Sequence, residues 1–274
     1  MKQEYGLLGH PLGHSFSRAF FNDKFAREGI DAEYLNFDLS DISELPQLLA
    51  EHPNLCGLNV TIPYKQAVIP YLDELSDEAR AIGAVNVIKV LPPTAAVLPP
   101  TGGVREGLHL KGFNSDVIGF TESIRPLLEP HHKKALVLGT GGASKAVCAG
   151  LDKLGIEWRY VSRSGAGERL FTYSDLTPEI IAEYTVIVNC TPLGMYPRID
   201  SCPEIPYRAL SPRHLLFDLV YNPEITLFMR NGRRQGAKVK NGLEMLHLQA
   251  LASWEFWTGE APLAPQRGEL TIDS

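Results

Sequence analysis

Short runs of apolar residues alternate along the chain with longer stretches in which apolar residues recur at helical spacing. The first longer stretch, Phe16–Glu28, carries three phenylalanines on one face, and Ser15 or Ser17 can cap its N-terminus. Strands that alternate with helices in this way are typical of an α/β protein built on a doubly wound parallel sheet.

The apolar runs and the amphipathic stretches give the following elements. The predicted strands are Tyr5–Gly9, Glu33–Asp38, Leu55–Val60, Ala84–Val90, His109–Phe113, Lys134–Leu138, Trp158–Ser162, Thr185–Cys190, Leu215–Val220 and Ala237–Lys240. The predicted helices after the first are Ser43–Glu51, a short helix opened by Pro63, Val117–Leu128, Ala143–Leu154, Pro178–Glu183, Ile225–Gln235 and Leu243–Thr258. Leu91–Glu106 is rich in proline and glycine, and we expect a mobile loop at the tip of a hairpin there.

Two breaks in the pattern suggest two domains. The loop before Lys134 and the turn at Asn241-Gly242 bracket a unit with the pattern of a nucleotide-binding fold. We therefore expect an α/β substrate-binding domain over residues 1–115, completed by C-terminal helices within 243–274. Residues 116–242 would form a dinucleotide-binding domain.

Composition narrows the possible classes of protein. The chain has 274 residues, of which 44% are hydrophobic, so it can bury one large core or two smaller ones. A net charge of −6 argues against a nucleic-acid partner, which favours a basic face. Because no apolar run approaches the roughly 20 residues of a membrane helix, and no signal peptide is evident, we expect a cytoplasmic protein without membrane contact.

The cysteines and histidines do not suggest a metal or a disulfide framework. Four cysteines are scattered without a C-x-x-C pair, which suits a reducing compartment. His10 and His14 flank Pro11-Leu12-Gly13, but no further ligand cluster accompanies them, so a structural role in the loop is expected rather than a metal site.

A glycine cluster follows the predicted strand Lys134–Leu138 and precedes a helix. Such a turn brings backbone N–H groups and the positive end of the helix dipole to one point, which suits a pyrophosphate. Ser144 occupies the third glycine position of G-x-G-x-x-G, and the alternative is an ordinary turn between a strand and a helix. A P-loop is excluded because the chain lacks a Gly-Lys step followed by a hydroxyl. The residues of this turn are Gly139, Thr140, Gly141, Gly142 and Ala143.

The next predicted strand ends in Ser162-Arg163-Ser164. An NAD-binding fold usually places Asp or Glu at this point to hold the ribose 2′-hydroxyl. Because arginine pairs with phosphate, NADP is favoured over NAD, and a solvent-exposed surface arginine is the alternative.

Polar residues also cluster where strands of the first domain end. In parallel sheets, ligands bind beyond the carboxyl ends of the strands. Hydroxyls, amides and a lysine can donate to and accept from several hydroxyl groups, so a polyhydroxylated acid is a suitable ligand. The segments are His14-Ser15-Phe16-Ser17, Asn59-Val60-Thr61-Ile62-Pro63-Tyr64-Lys65, Gly83-Ala84-Val85-Asn86 and Asn114-Ser115-Asp116.

These segments resemble the signature set of the shikimate dehydrogenase family, H-S-x-S, N-V-T-x-P-x-K, G-A-x-N and N-T-D, in the family's order. The resemblance continues through the glycine turn to the end of the chain and covers nearly all of it. The later matching segments are Gly139–Ser144, Asn189–Met195, Phe217–Tyr221 and Asn241–Gln249.

The resemblance implies a substrate domain, a Rossmann domain and a cleft between them, and it assigns roles by position. Lys65 and Asp116 match the family's catalytic pair. The positions that match shikimate-binding residues are Ser15, Ser17, Asn59, Thr61, Asn86, Tyr221 and Gln249. The positions that match NADP-binding residues are Gly139, Thr140, Gly141, Gly142, Ala143, Ser162, Arg163, Ser164, Thr191, Leu219 and Gly242.

Three positions depart from the family pattern. Ser115 replaces the threonine of N-T-D, and Arg18 stands where proline is common. Gly167 occupies the place of the second arginine in the family's N-R-T-x-x-R segment, so one phosphate partner is missing.

The implied activity is the reversible NADPH-dependent reduction of 3-dehydroshikimate to shikimate. Our hypothesis is that Lys65 gives a proton to the substrate oxygen and Asp116 orients the lysine. Alone, Lys65 would be interpreted as a surface lysine and Asp116 as a helix N-cap. The rival functions are a quinate/shikimate dehydrogenase with NAD or mixed cofactor use, and a non-catalytic dinucleotide-binding homologue. A monomer and a homodimer are both compatible with the sequence.

Overall fold

A computed structural model describes residues 2–13, 15–92, 108–165, 167 and 169–260. His14, almost all of the expected mobile loop Leu91–Glu106, and residues 261–274 at the end of the predicted C-terminal helices lie outside the described residues. The described chain divides into two compact units. The first contains the described part of residues 2–115 together with residues 250–260, and the second contains Asp116–Gln249.

The first unit is built on a mixed sheet with the strand order β2-β1-β3-β5-β6-β4. β1 pairs in parallel with β2 and β3, whereas β5 pairs antiparallel with β3 and β6, as the predicted hairpin requires. The strands are β1 (Gln3–Gly9), β2 (Ala32–Asp38), β3 (Leu55–Val60), β4 (Glu74–Leu75), β5 (Val87–Leu91) and β6 (His109–Phe113). The helices are α1 (Phe16–Glu28), α2 (Leu45–Glu51), α3 (Tyr64–Ala67) and α4 (Asp77–Ile82).

Each face of this sheet has its own core, because successive side chains of a strand point to opposite faces. Leu8 and Leu58 lie in one core, and Tyr5 and Tyr34 in the other. The second core is strongly aromatic and includes Trp257 near the end of α9 (Leu243–Thr258). The Trp257 indole N–H donates to the Ile88 carbonyl at 2.9 Å, which fixes the end of α9 on the sheet.

The second unit contains a parallel sheet with the order β12-β11-β10-β7-β8-β9. Counted from β7 as strand 1, this order is 3-2-1-4-5-6, the strand order of the Rossmann fold. Its strands are β7 (Lys134–Leu138), β8 (Glu157–Ser162), β9 (Leu170–Thr172), β10 (Val186–Asn189), β11 (Leu215–Asp218) and β12 (Lys238–Lys240). Its helices are α5 (Asp116–Ile124), α6 (Gly142–Lys153), α7 (Pro178–Glu183), α8 (Leu227–Arg234) and the first part of α9.

The central strands β7, β10 and β11 are buried almost throughout, as expected of a sheet covered on both faces. The chain order reverses between the neighbouring strands β7 and β10. Ligands of open α/β sheets bind at such a switch point, beyond the carboxyl ends of the strands. The residues after Leu138 and Asn189 therefore occupy the position where a dinucleotide is expected.

Proline accounts for two differences from the predicted elements. The predicted helix Val117–Leu128 ends at Ile124 and continues as a 3-10 turn with Pro126 at its start. The predicted helix Ser43–Glu51 is divided in the same way, because Pro46 lies in the first turn of α2 and a 3-10 turn precedes it. No helix in the described part of the chain is both long enough and apolar enough to span a membrane.

Hydrogen bonding accounts for the difference at β5. The predicted strand Ala84–Val90 begins only at Val87. Ahead of it, the Ala84 carbonyl accepts from the Asn114 side chain at 3.0 Å, and the Asn86 carbonyl accepts from the Val60 N–H at 2.8 Å. The polar motif before β5 is therefore held as a connection rather than as part of the strand.

Candidate functional sites

The start of α1 carries the two predicted serines of the first motif. The Ser15 Oγ accepts from the Arg18 N–H at 3.2 Å and caps the helix, which resolves the choice between Ser15 and Ser17 for that role. The Ser17 side chain instead lies near the Tyr34 hydroxyl. Burial raises the pKa of Tyr34 well above its usual value despite this contact, so the tyrosine is a neutral hydrogen-bonding group.

Asn59, the penultimate residue of β3, is hydrogen-bonded at both ends of its amide group. Its Oδ1 accepts from the Tyr34 hydroxyl at 2.8 Å, and its Nδ2 donates to the Ser253 Oγ at 2.9 Å. Tyr34 lies in β2, and Ser253 lies in α9. Two other elements thus fix the orientation of one predicted substrate residue.

Asn86 is tied to Ser115 in the same unit. The Ser115 N–H donates to the Asn86 Oδ1 at 2.7 Å, and the Asn86 Nδ2 donates to the Ser115 Oγ at 3.0 Å. The Ser115 Oγ lies 3.2 Å from the Ser253 Oγ. The structure therefore joins Asn59 and Asn86 in one continuous hydrogen-bond network, and Ser17 lies near Tyr34 at one end of it.

Thr61 directly follows β3, and Lys65 lies in α3, the short helix that the proline motif predicts. The Thr61 carbonyl accepts from the Tyr64 N–H at 2.9 Å, and Lys65 is half-buried in α3. The Lys65 carbonyl accepts from the Val85 N–H at 2.7 Å, so the lysine motif is attached directly to the G-A-x-N motif.

The other predicted substrate and catalytic residues belong to the second unit. Asp116 is buried and begins α5, directly after the Ser115 of the network. Tyr221 follows β11 and is half-buried, and burial raises the pKa of its hydroxyl. Gln249 lies on α9, at the end of the second unit.

The glycine turn joins β7 to α6 at the switch point of the second sheet. Gly139 has φ of +98°, a conformation that favours glycine, and its N–H donates to the Val161 carbonyl at 2.9 Å. A Cβ added at Gly141 would meet no atom within 4 Å, so the space in front of α6 is open. The Ser144 hydroxyl donates to the Gly141 carbonyl at 2.7 Å and holds the first turn of α6 in place. These features fit a bound diphosphate.

The segment expected to select NADP lies at the end of β8. Ser162 is half-buried, and Arg163 and Ser164 are exposed. Burial raises the pKa of Tyr173, and the charge of Arg163 partly offsets this effect, so the arginine lies near that ring. Gly167, in the place of the family's second arginine, is also exposed. Arg163 is therefore the expected partner for a 2′-phosphate.

Asn189 and Asp218 end β10 and β11 and connect the loops that follow. The Asn189 Oδ1 accepts from the Thr191 N–H at 3.0 Å and from the Thr191 hydroxyl at 2.7 Å. The Asn189 Nδ2 donates to the Asp218 Oδ1 at 2.9 Å. The orientation of the predicted cofactor residue Thr191 thus depends on two side chains to which the sequence assigned no role.

Asp218 is a fully buried carboxyl group with three hydrogen-bond donors. Besides Asn189, it accepts from the Val220 N–H at 3.1 Å and from the Thr226 hydroxyl at 2.6 Å. Burial raises its pKa to about 6, although each of these hydrogen bonds favours the ionised form. A polar residue that closes a buried apolar strand was the available sequence signal for both Asn189 and Asp218.

Leu219 and Gly242, two further predicted cofactor residues, are in close contact. The Gly242 N–H donates to the Val220 carbonyl at 3.3 Å, and a Cβ at Gly242 would collide with the Leu219 carbonyl. Only glycine permits this approach of the two backbones. Among the residues that the structure describes, no three His, Cys, Asp or Glu side chains are grouped as metal ligands.

Known proteins of one family resemble this chain in both units. Residues 7–88 match the family model described as the shikimate dehydrogenase substrate binding domain. A protein of Desulforamulus reducens named shikimate dehydrogenase (NADP(+)) is 35% identical over 290 aligned positions, which cover 98% of this chain and 94% of the relative. The chain belongs to the shikimate dehydrogenase family.

Solved structures of shikimate dehydrogenases share the fold over almost the whole chain. The enzyme of Thermus thermophilus in complex with NADP(H) and shikimate is 31% identical, with a TM-score of 0.78 and coverage of 95% of each chain. A quinate dehydrogenase of Corynebacterium glutamicum in complex with NAD is 26% identical, with a TM-score of 0.79 and coverage of 96% of this chain and 95% of the other. Similarity in fold alone thus extends to proteins with another substrate and cofactor.

Proposed function

We propose that this chain is an NADP-dependent shikimate dehydrogenase, which reversibly reduces 3-dehydroshikimate to shikimate. The observation that carries the proposal is the network in the first unit, which joins Asn59 and Asn86 from two family motifs and has Ser17 of a third motif near its Tyr34 end. Hydroxyl and amide groups arranged together suit a ligand with several hydroxyls and a carboxylate. The relatives with this name align with nearly the full chain, which supports the same conclusion.

The second unit supplies the proposed cofactor site. The N–H groups at the start of α6 would hold the diphosphate of NADP, and Arg163 with its flanking serines would hold the 2′-phosphate. Thr191, Leu219 and Gly242 would contact the cofactor from the loops after β10, β11 and β12. NADPH, when bound, supplies the hydride for the ketone of the substrate.

The protein has to manage the proton that accompanies the hydride. In our proposal, the Lys65 ammonium donates a proton to the developing alkoxide in the reduction and takes it back in the oxidation. The Asp116 carboxylate orients the lysine. What supports this pair is its place in the N-V-T-x-P-x-K and N-S-D motifs, together with the burial of Asp116. Proton transfer by a positioned side chain contributes about 10²–10⁴-fold to the rate of a reaction.

Replacing Lys65 tests this function and its mechanism together. Wild-type protein should form NADPH from NADP and shikimate, and Lys65→Met should lower kcat by about 100-fold or more because the proton donor is lost. The KM for NADP should change little. Lys89→Met, on β5 of the same unit, is the matched control and should keep normal kinetics. A Lys65→Met variant with a near-normal kcat would contradict the assignment.

Quinate/shikimate dehydrogenase activity with NAD or mixed cofactor use is the second candidate. Gly167 favours it, because this glycine leaves Arg163 without the second arginine of the family pattern. With one phosphate partner fewer, the preference for NADP over NAD should be weaker.

A further inference from the structure

The network in the first unit contains two residues that belong to none of the family motifs, Tyr34 and Ser253. We propose that both are positioning residues for the substrate site and that they act by holding the amide group of Asn59. This inference rests on the proposed function, in which Asn59 binds the substrate. It assigns a role in substrate binding to two hydroxyl groups that lie in β2 and α9.

The surroundings of Asn59 define which way its amide group faces. Its Nδ2 lies 3.4 Å from the Asn86 backbone carbonyl, an acceptor that only the nitrogen can satisfy. The Oδ1 must then face Tyr34, whose hydroxyl donates to it at 2.8 Å. Without the Tyr34 hydroxyl, the Asn59 Oδ1 would lose the hydrogen bond that opposes rotation of the amide group.

Ser253 holds the opposite side of the same amide group. Its Oγ accepts from the Asn59 Nδ2 at 2.9 Å and lies 3.2 Å from the Ser115 Oγ. Ser115 in turn holds both polar atoms of the Asn86 side chain. Ser253 therefore connects two predicted substrate residues that come from different motifs.

Burial makes these contacts restrictive. Tyr34 is 1% exposed and Ser253 is 0% exposed, so water cannot replace a missing partner without a rearrangement. In a buried network, each satisfied hydrogen bond limits the orientations of the next group. Removing one partner leaves the other unsatisfied and costs more than the hydrogen bond itself contributes. The expected consequence is an Asn59 amide group that no longer stays in a single orientation.

The test compares Tyr34→Phe with Tyr5→Phe, which makes the same change in the same aromatic core. The Tyr5 hydroxyl donates to Gln3 at 3.3 Å, outside the network. Tyr34→Phe should raise the KM for shikimate about tenfold, as expected from the loss of one buried hydrogen bond, and leave the KM for NADP unchanged. Tyr5→Phe should change neither KM. Equal changes in the two variants would overturn the proposal.

A double-mutant cycle separates positioning from a general effect on the fold. If Tyr34 acts through Asn59, Tyr34→Phe should change the KM for shikimate by less than about twofold in an Asn59→Ala background. Ser253→Ala should behave in the same way, with Ser123→Ala, a buried serine of the second unit, as its control. Additive tenfold effects, or parallel increases in both KM values, would show that the hydroxyls only stabilise the core.

Failure of the inference can be told apart from failure of the proposed function. Wild-type protein that does not oxidise shikimate, or Asn59→Ala with an unchanged KM for shikimate, would contradict the function or its site and this inference with it. If Asn59→Ala raises the KM while Tyr34→Phe and Ser253→Ala do not, only the positioning role is wrong.

Discussion

At the scale of single residues, Asp218 links the ends of β10 and β11 through a buried carboxyl group. Burial raises its pKa to about 6, compared with about 4 for an exposed aspartate. The folded state therefore binds this proton more tightly than the unfolded state. The contribution of Asp218 to stability is most favourable below about pH 4 and is lost as the pH rises through 6. Its titratable neighbours, Cys190 and Tyr207, stay neutral because burial raises their pKa values.

Asp218→Asn should therefore flatten part of the pH dependence of stability. The free energy of unfolding of the wild type, relative to that of the variant, should fall by about 2 kcal/mol between pH 4 and pH 7. Urea denaturation of both proteins across this range measures the difference. The lost hydrogen bonds of the variant add an offset that does not depend on pH. A difference that stays constant from pH 4 to pH 7 would refute the raised pKa.

Sequence motifs identified Ser17, Asn59 and Asn86 but could not identify Tyr34 and Ser253. The motif residues lie in short recognisable segments, whereas the Asn59 contacts with Tyr34 and Ser253 span 25 and 194 positions of the chain. Only the folded arrangement of β2, β3 and α9 brings these groups together. A hydroxyl inside an apolar stretch has no local pattern that reveals its partner.

At the scale of elements, the long periodic segments were predicted well and the shortest ones were not. β7, α6 and α9 carry clear apolar patterns, and the structure contains all three at nearly the predicted positions. β4 and β9 have only two and three residues, too few to show a period. Their pairing with neighbouring strands, rather than their own sequence, defines them.

The close backbone contact at the turn between β12 and α9 allows a test of the role of this turn in cofactor binding. Gly242→Ala should force the loop after β11 away from Gly242, because the added Cβ collides with the Leu219 backbone. The KM for NADP should rise about tenfold or more, with a smaller change in the KM for shikimate.

Gly232→Ala is the control for added volume in the same unit. Its Cβ would collide with the end of the Leu216 side chain and would lie at contact distance from Val239, so some loss of stability is expected without a change in the KM for NADP. If Gly242→Ala binds NADP normally, the proposed role of this turn in the cofactor site is wrong.

At the scale of the whole molecule, the alternation of strands and helices predicted the α/β class. The strand order of the two sheets could not be predicted from the same pattern. In the second unit, β10 lies beside β7 although β8 and β9 come between them in the chain. Right-handed crossover connections over both faces of the sheet allow this strand order. Which order forms depends on which faces of the helices and strands pack together. Family resemblance, rather than periodicity, supplied that information.

Oxidation of shikimate with NADP is the activity that we propose for the whole chain, and a cofactor-by-substrate assay measures it. Purified protein would receive NADP or NAD together with shikimate or quinate, while the absorbance of the reduced nicotinamide is followed. We expect turnover with NADP and shikimate to exceed the other three combinations. Comparable rates with NAD or quinate would indicate the broader enzyme that Gly167 permits. Binding of NADPH without turnover of either substrate would contradict this proposal and indicate a non-catalytic homologue.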